Sequence, residues 1–349
     1  MTGSDTRADV AGALNAIFDS DAVARRPAYL FLLLVVVLHF TVGTVLQVAN
    51  PAFGVSFGEL FFFAGLTWIF TRGANFRPAD FLALRPPPLH TLLASLAAAV
   101  AGFFFAGALN AVNQWIVGPD VAAQYDVTRL FEVRSPLEGA LLVFGVSVLA
   151  PIGEELVFRG YLMRVLGARH GMMRAALITS ALFALIHLNP ASVLALFALG
   201  LVFSLLRVWT GSIWPSIFAH ALQNGTSSAM VLLGLAEESP DELAIGPALV
   251  LLAITAPLLY LAMAHLRGLP ANPERPDTPI DPAQDHRLRL RRIAGPLLAL
   301  LIAALASIGA LLAIDGAEVR ARLERVRGTP APAPAPAPEA PELPQTGTD

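Results

Sequence analysis

Two adjacent glutamates, Glu154 and Glu155, follow Pro151 inside an apolar run, and Arg159 comes four residues after the second. Further along, His187 closes the run Phe183-Ala184-Leu185-Ile186-His187, and His220 precedes Asn224 by four positions. A carboxylate and an imidazole that converge on one point can hold and deprotonate a water. An imidazole and an amide on a neighbouring helix can donate hydrogen bonds to a developing oxyanion. Together these groups suffice for amide hydrolysis without a covalent nucleophile. Glu154, His187 and His220 could instead ligate zinc, whose catalytic sites often use three protein ligands and a water. The His-Glu-x-x-His signature of soluble zinc proteases is absent. Both chemistries end in peptide-bond hydrolysis.

Spacing refines the roles. Residues four apart lie one above the other on a helix, so His220 and Asn224 share a face, as do Glu155 and Arg159 in the favourable acid-before-base order. An internal Glu155–Arg159 pair would let one glutamate stay charged while the other does chemistry. Glu154 and Glu155 point about 100° apart and cannot share one role. Each residue has a structural alternative: a lone histidine or a His–Asn pair can be interhelical glue, and Arg159 can snorkel to an interface. All six falling between positions 154 and 224 favours chemistry.

The elements that must position these residues are hydrophobic helices. Of 349 residues, 56% are hydrophobic and 14% charged, against about 25% charged in soluble domains. The expected fold is all-α, a polytopic transmembrane bundle with a polar cavity between helices. A span takes roughly 20 apolar residues, and nine candidates are read at 28–49, 57–71, 89–117, 137–163, 172–188, 191–208, 212–233, 246–266 and 293–314. A charge buried in hydrocarbon costs a few kcal/mol or more, which makes intramembrane acids functional candidates. Pro151 removes a helix hydrogen bond and predicts a kink just before the glutamates. Carbonyls freed at membrane depth need protein or water beside them, so the proline and the acids agree on a polar cavity. With no cysteine, disulfides and Cys–zinc sites are excluded. A net charge of −3 suggests no nucleic-acid partner.

Five regions are read: a cytoplasmic segment 1–27, N-terminal helices 28–136, a motif-bearing core 137–232, C-terminal helices 233–314, and a Pro/Ala-rich tail 315–349. The first segment lacks the pattern of a cleaved signal peptide, so the first apolar run is expected to be a retained helix. Arginines cluster before the first span and in alternate loops, up to the group from Arg267 to Arg292, whereas Glu237, Glu238, Asp241 and Glu242 fall in a loop of opposite side. This places the N-terminus in the cytoplasm of a cell inner (plasma) membrane protein. The arginines from Arg320 to Arg327 are the exception, since nine crossings put them outside. Residues 329–342 form a Pro-Ala repeat expected to be extended. The run Leu343-Pro344-Gln345-Thr346-Gly347 looks like a sorting signal but lacks the hydrophobic stretch and basic tail that normally follow one.

Other polar positions are given lesser parts. Asn110, Asn113 and Gln114 form a stripe assigned to interface or packing. Glu59 and Glu138 are read as solvated residues at span edges, and His39, His90, His170, His265 and His286 are given no role. At about 1.5 Å per residue, Glu154 lies about 14 Å and His220 about 12 Å from the cytoplasmic ends of their spans, which predicts a site opening to that side. His187 lies about 22 Å from residue 172, a mismatch in depth.

The motifs Glu154-Glu155-x-x-x-Arg159, Phe183-x-x-x-His187 and His220-x-x-x-Asn224 resemble those of the CPBP intramembrane protease family, which includes type II CAAX prenyl endopeptidases and bacteriocin-processing or immunity relatives. The order and spacing match across about residues 137–232. The resemblance implies that Glu154 activates water with help from His187, that His220 and Asn224 form the oxyanion site, and that Glu155 and Arg159 support them. It implies membrane lipids and a peptide or lipidated-protein substrate as partners, with either no cofactor or Zn²⁺. A proton-coupled carrier and an inactive immunity-type scaffold are the rival functions. Carriers usually carry internal repeats, and none is evident; the intact set of six polar residues argues against a silent scaffold.

Overall fold

In the computed structural model, residues 25–131, 133, 135–235, 245–272 and 290–326 are described, and every long element among them is a helix. The N-terminal segment, the acidic loop, most of the arginine-rich loop and the Pro-Ala tail lie outside the described residues. The helices are α1 (Ala28–Ala49), α2 (Pro51–Gly73), α3 (Leu89–Val117), α4 (Pro136–His170), α5 (Met172–Ile186), α6 (Val193–Thr210), α7 (Trp214–Leu232), α8 (Ile245–Arg267) and α9 (Leu290–Val326). Seven are long and apolar enough to cross a membrane: α1–α4, α6, α8 and the Arg292–Ile314 part of α9. The two exceptions carry site residues. α5 has 15 residues and ends where His187 begins, and α7 has 19 but holds His220, Gln223, Asn224 and a run of hydroxyls. The chain is a multi-pass, all-α membrane protein.

Helix ends follow local chemistry. Asn50 Oδ1 accepts a hydrogen bond from the Phe53 amide at 2.9 Å and Pro51 opens α2; Ser135 Oγ accepts from the Glu138 amide at 3.2 Å and Pro136 opens α4. Such caps satisfy orphan amides, and proline at the first turn loses nothing. Two expected boundaries are corrected. α2 begins at Pro51 rather than 57 and is a full-length span of 23 residues, and α4 continues to His170 rather than 163. The depth mismatch between Glu154 and His187 then closes, while His220, six residues from the start of α7, stays about 9 Å from that end. Glu154 stands 16 residues from the end of α4, about 24 Å, and His187 stands 15 residues from the start of α5, about 22 Å. With 18 residues before it and 16 after, Glu154 lies near the middle of α4, so its position no longer favours a cytoplasmic opening.

α4 is the spine of the site, touched by α2, α5, α6 and α7. It is not a uniform α-helix. Wide π-helical turns occupy Gly145–Leu149 and Leu156–Leu162, on either side of the glutamates. Such turns occur frequently at functional sites. A glycine that this packing demands is Gly153: a Cβ there would fall 2.7 Å from Glu59 Oε2, 2.8 Å from the Glu59 carbonyl and 3.0 Å from Phe63 Cβ. α2 therefore lies directly against α4 one residue before Glu154.

Candidate active site

The expected polar residues meet around α4. Glu154 is 9% exposed; its Oε2 lies 4.0 Å from His187 Nε2 and 3.9 Å from His220 Nε2 and has no hydrogen-bond partner among the described residues. Those distances exceed a direct hydrogen bond and leave room for a bridging group. Each histidine is oriented through its other nitrogen. His187 Nδ1 lies 2.7 Å from the Phe183 carbonyl, and His220 Nδ1 lies 3.0 Å from Glu155 Oε1. A carbonyl and a carboxylate only accept, so in both rings Nδ1 is the donor and Nε2 faces Glu154.

Glu155 and Arg159 are fully buried and paired. Arg159 Nη1 donates to Glu155 Oε1 at 2.7 Å, Nη2 to the Gly200 carbonyl at 2.8 Å and Nε to Ser204 Oγ at 3.3 Å. Its guanidinium lies 4.6 Å from the centre of the Phe183 ring and 5.4 Å from that of Phe203, within the range of cation–π attraction. His220 stacks on Phe203, 4.9 Å between centres at 21°. The pair thus lies buried beside His220, joined to it through Glu155 Oε1, and snorkelling of Arg159 is ruled out by its burial.

Asn224 is one turn from His220, and its Nδ2 donates to the Val146 carbonyl at 3.0 Å. One amide hydrogen is engaged there and a second remains. His187 is the most open member: it follows the last residue of α5, with its side chain 30% exposed.

Two residues read from the sequence as solvated, Glu59 and Glu138, are buried. Glu59 is not a solvated edge residue. It is 6% exposed, lies within α2 against Gly153 and within electrostatic reach of Glu154, and its Oε2 is unpartnered among the described residues. His39, given no role from the sequence, lies within α1, its ring edge-on to Phe63 at 5.3 Å and within electrostatic reach of His187. The missed signal was Asn50-Pro51, a cap and a first-turn proline that start α2 early enough to submerge Glu59. Glu138 is likewise buried, 7% exposed, in the first turn of α4. Asn113 does what was expected of it: Nδ2 donates to the Pro190 carbonyl and Oδ1 accepts from the Leu194 amide, tying α3 to the start of α6.

A zinc ion sets a stricter test. Ligand atoms about 2.1 Å from a tetrahedral zinc stand roughly 3.4 Å from one another, and Glu154 is wider than that from both histidines. Among the described residues no group of three or more His, Asp or Glu is placed to hold a metal ion. The arrangement as it stands does not fit a zinc ion, and no step is drawn through one.

A multi-pass helical bundle that converges buried Glu, His and Asn belongs to the class of membrane proteins built around an intramembrane polar site. Residues 136–226 match the family model of type II CAAX prenyl endopeptidase Rce1-like proteins, so the motif core carries the pattern of that family. The chain is 28% identical over 130 residues to YdiL of Bacillus subtilis (strain 168), named as a membrane peptidase, covering 36% of this chain and 52% of that protein. It is 32% identical over 116 residues to an uncharacterized 24.3 kDa protein of Escherichia coli, covering 31% and 54%. It is 34% identical over 91 residues to the membrane-embedded CAAX protease MroQ of Staphylococcus aureus (strain USA300), covering 24% and 37%. The chain spans about half the length of the first two relatives and less of the third. No solved structure matches it.

Proposed function

We propose that the protein is an intramembrane endopeptidase that hydrolyses a peptide bond near a membrane-embedded or lipid-anchored peptide end, using Glu154 and His187 to activate water. The observation that carries this reading is the unpartnered Glu154 Oε2 facing two Nε2 atoms at 3.9 and 4.0 Å. A water in that space can donate one proton to Glu154 and the other to His187 Nε2, whose Nδ1 is already committed to the Phe183 carbonyl. As the water oxygen attacks the scissile carbonyl, Glu154 takes its proton. The oxyanion then receives the second amide hydrogen of Asn224 and a proton carried on His220 Nε2. To donate there His220 carries a hydrogen on each ring nitrogen, Nδ1 bonded to Glu155 and Nε2 to the oxyanion. When the C–N bond breaks, Glu154 returns its proton to the departing amine, and a carboxylic acid and an amine leave.

The family match of the core and two relatives named as membrane peptidase and CAAX protease support the reaction class. An apolar groove of about 530 Å³ runs between α3, α4 and α7 and includes Ala219 and Ala221, the chain neighbours of His220. It would suit a hydrophobic anchor. From the arginine distribution, the N-terminus lies in the cytoplasm and the protein in the plasma membrane.

The test is cleavage of membrane-anchored peptides by purified protein in detergent. Wild type should cleave in the presence of a chelator, and Glu154→Gln, His187→Ala and His220→Ala should each lose about 10²- to 10⁴-fold while remaining folded in the membrane. Glu154→Gln retaining more than about a tenth of wild-type activity would sink the assignment, and chelator-sensitive cleavage restored by zinc would replace the metal-free mechanism.

A further inference from the structure

Pro151 is read in the sequence only as a kink, yet the structure gives its missing N–H a specific consequence. In the wide turn Gly145–Leu149 the Ala150 amide donates to the Gly145 carbonyl, five residues back. Continued in that register, the next carbonyl, Val146, would take the amide of residue 151. That residue is proline and has none. The amide four residues ahead of Val146 is that of Ala150, already given to Gly145. Val146 therefore has no donor within its own helix in either register. At membrane depth such a carbonyl is tolerated only with another partner, and here the partner is Asn224 Nδ2 from α7 at 3.0 Å.

We infer that Pro151 is a positioning residue for Asn224: by withholding its amide it keeps the Val146 carbonyl free to anchor the Asn224 side chain, so that the second amide hydrogen is held ready for the oxyanion. The inference rests on the proposed oxyanion role of Asn224. Three details support it. Asn224 has two rotatable side-chain bonds, and a fixed acceptor on one N–H sets the direction of the other. The helices are close at this level, since a Cβ on Gly225 would lie 3.7 Å from Ser147 Cβ. One turn further, Ser147 Oγ and Ser228 Oγ are 3.5 Å apart.

An alternative is that Pro151 only bends the helix. The two are separated by Pro151→Ala, Asn224→Ala and the double variant, each measured for kcat, KM and melting temperature on the same anchored peptide. Alanine restores an N–H that competes for the Val146 carbonyl, so the anchor is weakened and turned while the helix gains a bond. The expected result is that Pro151→Ala melts no lower than wild type but loses at least about tenfold in kcat with KM nearly unchanged. Asn224→Ala should lose about 100-fold or more, the usual size for an oxyanion donor. The double variant should be no worse than Asn224→Ala alone, because the proline acts only through the asparagine. Wild-type kcat in Pro151→Ala beside an impaired Asn224→Ala overturns the inference and leaves the protease reading standing. Losses that multiply in the double variant, or a kcat loss accompanied by a fall in melting temperature, overturn it too. Wild-type kcat in Asn224→Ala removes the oxyanion assignment and the reason for its anchor together, and an inactive wild-type protein removes the protease reading itself.

Discussion

His220 Nδ1 and Arg159 Nη1 converge on the same oxygen, Glu155 Oε1, at 3.0 and 2.7 Å. One fully buried carboxylate therefore neutralises the arginine beneath the site and decides which ring nitrogen of His220 faces Glu154. This sharing ties stability to chemistry. The guanidinium is spread over Glu155, Gly200 and Ser204, whereas the histidine depends for its orientation on Glu155 alone among its hydrogen bonds.

Breaking the pair should cost both folding and turnover. Glu155→Ala or Arg159→Ala leaves an uncompensated charge at depth, worth about 3–5 kcal/mol when one partner of a buried pair is removed. Glu155→Gln combined with Arg159→Gln should recover part of that stability, because no lone charge remains. Activity should not return in the double variant, since His220 has lost its carboxylate partner. Thermal melting beside cleavage rates checks both halves. Singles and double that melt like wild type would show that the pair carries no buried charge energy.

Gly153→Ala tests the seam between α2 and α4. Its Cβ would meet the Glu59 carboxylate at 2.7 Å and, less yieldingly, the Glu59 carbonyl at 2.8 Å. Overpacking of this kind typically costs about 1–3 kcal/mol. Because the next residue is Glu154, kcat should fall as well. Adding Glu59→Ala removes the carboxylate contact but not the backbone one, so stability should return only in part. Full recovery would mean that the side chain of Glu59, and not the helix approach, limits position 153; no loss at all in Gly153→Ala would refute the close approach.

The residues gathered at the candidate site were legible because their spacing is local. Glu155 and Arg159, Phe183 and His187, and His220 and Asn224 each lie four apart, so a single helical turn predicts the relation that the structure shows. Nine apolar stretches also sufficed to foresee the bundle, because a membrane span is a long signal. What remained hidden is long-range. The Gly153–Glu59 seam joins positions far apart in the chain, and the Asn224–Val146 bond crosses 78 residues. The start of α2 was missed for a local reason: Gly54 and Ser56 dilute the apolar run, and the cap that overrides them lies outside it. That error placed Glu59 in solvent.

The orientation is testable because the chain has no cysteine of its own. Positive-inside asymmetry puts the loop around Thr278 in the cytoplasm and the acidic loop around Ser239 outside. A Ser239→Cys variant should react with an impermeant maleimide in intact cells, and Thr278→Cys only after permeabilisation. The reverse pattern would invert the protein in the membrane.

Recognition of a lipid anchor should reside in the groove between α3, α4 and α7, whose walls include Leu92, Leu96, Val148, Phe218 and Leu222. Its wall on α7 continues to Ala219 and Ala221, so a chain lying there would bring the adjoining peptide to His220. Each buried methylene of an anchor contributes about 0.8 kcal/mol, so excluding only two methylenes would weaken binding more than tenfold. Leu96→Trp adds bulk on the α3 side, on the wall across from the α7 helix that bears His220, and is chosen because Leu96 is half exposed and its replacement should not disturb the core. The expected outcome is a KM at least about tenfold higher for a lipidated peptide, with kcat preserved and the unlipidated twin cleaved as before. Crosslinking from a photoreactive side chain at Leu222 should label the lipidated peptide in preference to the twin. Equal KM changes for both peptides, or equal labelling, would remove the groove from substrate recognition while leaving the Glu154 chemistry in place.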